Sequence, residues 1–112
     1  MREPSKALKK ELRHHAERAW EAEMKAALGA LAAKFDQWRS GGISSGDLDA
    51  AIHAYHDGAA REIWRLFSTS DRKMPLAHAV AAGLIEEESL PAEVREHIAS
   101  MVEFFRHQGR GA

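Results

Sequence analysis

The feature that most constrains this chain is one run of helical spacing, from Ser5 to about Arg39. Its bulky apolar residues are Leu8, Leu12, Trp20, Met24, Leu28, Leu31, Phe35 and Trp38, and from Trp20 onward they recur every three or four positions. Ser5 can cap the start, and Ser40-Gly41-Gly42 supplies a stop. Thirty-five residues at a helical rise reach roughly 50 Å. A compact chain of 112 residues has a radius of gyration of about 13 Å and a diameter of roughly 35 Å. An unbroken helix therefore overhangs its own domain by about 15 Å. Either it breaks at Gly29, or another subunit covers the overhang.

The rest of the chain reads as helix too. Alanine, leucine, glutamate, lysine and arginine are plentiful, whereas valine is scarce and tyrosine occurs once, so strands lack material. A second helix starts after Ile43-Ser44-Ser45-Gly46, where Ser44 with Asp47 three residues on resembles a weak capping box, and carries Leu48, Ile52, Tyr55, Ala59, Ile63 and Leu66 inward as far as Phe67. Ser68 to Lys73 form a polar loop. Pro75 opens a short third helix that Gly83 closes, and Pro91 opens a fourth that runs to about His107, with Val94, Ile98, Met101, Val102 and Phe105 inward. The expected fold is all-α: one four-helix domain over residues 1–112, with a long N-terminal helix, two medium helices and a short one. Residues 1–4 and 108–112 are expected to be flexible.

Composition narrows the function classes. A net charge of −1 argues against a strong electrostatic grip on nucleic acid. No cysteine is present, which excludes disulfides and thiolate metal sites. No apolar run approaches the ~20 residues that span a bilayer, and the charged N-terminus does not resemble a secretory signal. A cytoplasmic protein without membrane contact is expected. Residues 1–18 carry six Lys/Arg against three Glu, while residues 84–112 carry six Glu against three Arg. Such asymmetry can guide assembly between chain ends or subunits.

The second half of the first helix has two apolar faces. Opposite the bulky stripe lie Ala22, Ala26, Gly29, Ala30 and Ala33, whose small side chains let another helix approach closely. A helix apolar on both sides is usually buried on both. A homodimer whose first helices meet, enlarging a shared bundle, is therefore expected, with an unidentified protein as the other candidate partner. Trp38-Arg39, at the helix end, is an aromatic–arginine pair of the kind that anchors interfaces. Gly58 lies in a helix interior at a cost of roughly 1 kcal/mol, which points to close packing against another backbone near Gly29.

The stretch from Asp47 to Trp64 holds what chemistry there is. Asp49 and His53 are four apart and His53 and His56 three apart, so on a helix their side chains can converge. Two imidazoles and a carboxylate suit a divalent metal. His53 or His56 could equally act as a general base oriented by Asp49 or Asp57, although no nucleophile or oxyanion element stands beside them. Glu11 and His14 have the Glu-x-x-His spacing of helical di-iron proteins, but the further carboxylates those sites need are missing. His14 and His15 with the basic first turns could touch phosphate. Glu86, Glu87 and Glu88 would repel DNA from a faint helix-turn-helix over residues 76–98. The function expected is a non-enzymatic, self-associating interaction or structural module with no cofactor. The alternative is a metal-binding or His/Asp-based enzyme using the flank of the second helix.

Overall fold

The computed structural model describes residues 5–68 and 71–110, and every regular element among them is helical. Helix α1 spans Lys6–Arg39 and passes through Gly29 without a break. Ser5 caps it, the Leu8 N–H donating to Ser5 Oγ at 3.1 Å. At the other end Gly41 adopts a φ of +83°, and the Gly42 N–H donates to the Gln37 carbonyl at 2.7 Å. Helix α2, Ser45–Ala54, opens on a reciprocal capping box. Ser44 Oγ accepts the Asp47 N–H at 3.0 Å, and Asp47 Oδ2 accepts the Ser44 N–H at 3.1 Å. A π-helical segment, Tyr55–Ala60, then runs without a gap into α3, Arg61–Phe67. After α4, Lys73–Ala81, Gly83 turns the chain with a φ of +80°, and a 3₁₀ turn over Glu87–Ser89 leads to α5, Ala92–Arg110. With α2, the π segment and α3 forming one rod, the fold has four helices.

The core sits at one end of the molecule. Helix α4 packs on α5 and on the N-terminal half of α1. Leu8, Leu12 and Ala19 of α1 are buried there with Leu76, Ala77, Ala79 and Val80, and with Val94, Ile98 and Val102 of α5. No residue of α1 beyond Glu23 is buried. From that point α1 and the α2–α3 rod run on as a two-helix arm that buries only Leu48 and Ile63. The molecule measures 56 × 29 × 23 Å, with a radius of gyration of 16.8 Å, well above the ~13 Å of a compact chain this long. The overhang expected from helix length is real, and Gly29 does not relieve it.

Several expectations need correction. From Trp20 onward the bulky stripe of α1 is not its core face, for Trp20, Leu28 and Trp38 are exposed and Met24, Leu31 and Phe35 only half-buried. The face that meets α4 and α5 is set by Leu8, Leu12, His15, Ala16 and Ala19, which point to a different side of the helix. On the second rod, Ile52 and Ala59 are exposed. The wide π turn shifts the phase by roughly one residue, so no single 3.6-residue stripe runs from Leu48 to Leu66. Close packing at Gly58 is also absent, because a Cβ built there, or at Gly29, meets nothing within 4 Å. Helix α5 extends through Gln108 to Arg110, past the expected start of a flexible tail. Residues 1–4 and the remaining tail residues 111–112 lie outside the described residues.

Candidate functional site

The site begins with the register of α1. Leu12, Ala16, Ala19 and Glu23 are buried, at alternating steps of four and three residues. Ala26, Ala30 and Ala33 continue the same steps, so they lie on the same helix face. They are exposed, for the buried residues of α1 stop at Glu23. Gly29 is exposed beside them, and Ala22 is half-buried against the core. The small-residue face is therefore not opposite the core face, as a wheel centred on the bulky residues suggests. It is the core face, carried beyond the core.

An open groove of about 1050 Å³ marks the point where cover is lost. Ala26 and Ala27 of α1, Ile63 and Leu66 of α3, Met74 and His78 of α4 and Phe105 of α5 line it. Glu23, only 8% exposed, lies at its inner end. His78 Nδ1 is 2.5 Å from Glu23 Oε2, and the Phe105 ring meets the imidazole edge-on at a centroid distance of 5.2 Å. The hydrogen bond to Glu23 raises the His78 pKa above its ordinary value, against the opposing effect of partial burial. The pair ties α4 to α1 where the arm leaves the core.

A second histidine, buried rather than half-buried, behaves oppositely. His15 Nε2 lies 3.2 Å from Glu11 and its Nδ1 accepts from Arg18 at 2.8 Å. Burial, then the Arg18 charge, lowers its pKa. His14, the residue with Glu-x-x-His spacing from Glu11, is exposed and touches the His15 ring edge-on.

The residues singled out on the second helix are only partly brought together. Asp49 Oδ2 and His53 Nε2 approach to 3.5 Å on the open surface. His56 instead faces Asp57, with Nδ1 and Oδ1 3.4 Å apart. Among the described residues no group of three His, Cys, Asp or Glu side chains is placed to hold a metal ion. At the arm tip Trp38 Nε1 donates to Ser45 Oγ at 3.0 Å and its ring meets Phe35 edge-on, while Arg39 pairs with Asp36 at 2.9 Å. Both remain exposed. The sequence reading missed Glu23 and His78. One signal was present: Glu23 is an acid in phase with Leu12, Ala16 and Ala19.

No helix among the described residues is long and apolar enough to cross a membrane. The chain matches no protein-family model, no curated protein and no solved structure.

Proposed function

We propose that the protein is a self-associating helical module, a homodimer in which the arms of two copies pair. Each arm supplies two helices, so two arms make the four helices of a bundle. The observation that carries this reading is the continuation of the buried α1 register onto Ala26, Ala30 and Ala33 with nothing over it. Alternating steps of three and four are the repeat with which helices pack along their length. Small residues at those steps allow close approach, and the apolar groove at Ala26 and Ala27 extends the same surface toward the core. Trp38, exposed at the arm tip, would lie at the rim of such an interface.

A dimer melts at a temperature that rises with protein concentration, because unfolding separates the copies. Wild-type protein is expected to show that rise. Replacing Ala26 and Ala30 together by Glu places charges on the paired face and is expected to abolish the rise, with helicity kept. A melting temperature independent of concentration in the wild type, or an unchanged rise in the double variant, would refute the reading.

A further inference from the structure

A smaller slot of about 320 Å³ lies between α1, the end of α3 and Arg72 just before α4. Glu17 and Trp20 line it from α1, Trp64, Phe67 and Ser68 from the end of α3, and Arg72 from the residue before α4. Its walls are unusual. Trp64 is 69% exposed and Trp20 46% exposed, and no ring contact joins either to another aromatic among the described residues. The end of α3 is fixed locally, since Ser68 Oγ donates to the Trp64 carbonyl at 2.5 Å. A single exposed indole needs no explanation, but two that line one cavity together with a phenyl ring offer a ligand aromatic surface. Glu17 and Arg72 line the same slot, yet no ion pair joins them to each other or to any described residue.

We propose that this slot binds a small zwitterion, a quaternary ammonium group held among Trp20, Trp64 and Phe67 and an anionic group, phosphate or carboxylate, held by Arg72. Aromatic faces attract a cation through their quadrupole, and a quaternary ammonium suits them because it has no N–H to satisfy. Glu17 adds a carboxylate to the same lining. The Arg72 guanidinium offers the planar donor fork that phosphate and carboxylate fit. A slot with one acid and one base, unpaired with each other, is matched by a ligand that carries both charges. A planar uncharged ring would stack on the indoles but leave Glu17 and Arg72 without partners. The volume falls at the lower end of the roughly 300–1,000 Å³ usual for small-molecule sites. The slot shares no lining residue with the groove of the proposed dimer, so the two readings stand or fall separately.

The test is calorimetric titration of the full chain with phosphocholine and with choline. Both are expected to saturate, phosphocholine about tenfold more tightly because it alone reaches Arg72. Arg72→Gln is expected to erase that difference and leave choline binding in place, and Trp64→Ala to abolish both with the circular dichroism spectrum kept. Co-sedimentation with phosphatidylcholine vesicles, competed by free phosphocholine, would add that a lipid headgroup is the source of the zwitterion. Its absence alongside saturable phosphocholine binding would assign a soluble one. Lack of saturation by phosphocholine overturns the proposal. So does binding that survives both substitutions, or inorganic phosphate binding as tightly as phosphocholine.

Discussion

Glu23 occupies a position on a stripe that, His15 apart, is filled with leucine and alanine. A carboxylate there is costly unless it is paired, and His78, 55 residues away in the chain, supplies the partner. The fold therefore binds the His78 proton more tightly than the unfolded chain does. The stability this adds is fully present below the unfolded histidine value near ~6.5 and is lost as pH rises through the higher folded value. His15 acts in the other direction. Its lowered pKa means the unfolded chain takes up the proton first, so its contribution, present above about 6.5, is lost as pH falls through the lower folded value. Urea unfolding of wild type and His78→Gln should give a stability difference that shrinks as pH is raised from about 6 to about 9. Wild type against His15→Gln should diverge at the acid end instead. Equal slopes for the two variants would contradict the assignment. Neither residue's role was legible from residue type alone. Glu23 was betrayed only by its phase, and His78 lies on a helix whose packing against α1 is a tertiary fact.

At the scale of elements, the boundaries were the most legible part, because they rest on local chemistry. Ser5, the Ser44–Asp47 box, Gly41 and Gly83 all act where the sequence placed them. Core faces were less legible. Indoles and leucines dominate a wheel of α1, yet the residues that meet α4 and α5 are smaller, and Ala19 is fully buried while Trp20 is not. Two substitutions separate these faces. Ile98→Ala, in the core, should cost about 2–5 kcal/mol. Leu28→Ala, on the exposed stripe, should cost under about 1 kcal/mol. Similar losses in chemical denaturation would mean the stripe is covered after all. The π segment was not foreseen, for nothing in Tyr55–Ala60 distinguishes a five-residue hydrogen-bonded step from a four-residue one. It explains why the inward stripe drawn from Leu48 to Leu66 does not persist. Gly58, inside it, has open space around its Cβ position. Gly58→Ala should therefore be neutral or stabilising by up to about 1 kcal/mol. A loss larger than that in thermal unfolding would show that the segment needs glycine.

The whole molecule is a small core with an arm. Overhang could be read from length alone, since a helix of α1's span cannot fit within a compact chain of this size. What covers the overhang could not, because one chain's sequence specifies a face without naming its occupant. The structure sharpens that question. The uncovered face is the core register itself, so whatever covers the arm extends the packing that α4 and α5 begin. The proposed second copy would bring an identical face, as a two-fold interface requires. The most direct measurement is sedimentation equilibrium of the wild-type chain over a wide concentration range. A mass rising from 12.4 kDa toward twice that value is the expected result, and a single mass of 12.4 kDa at every concentration would contradict the account.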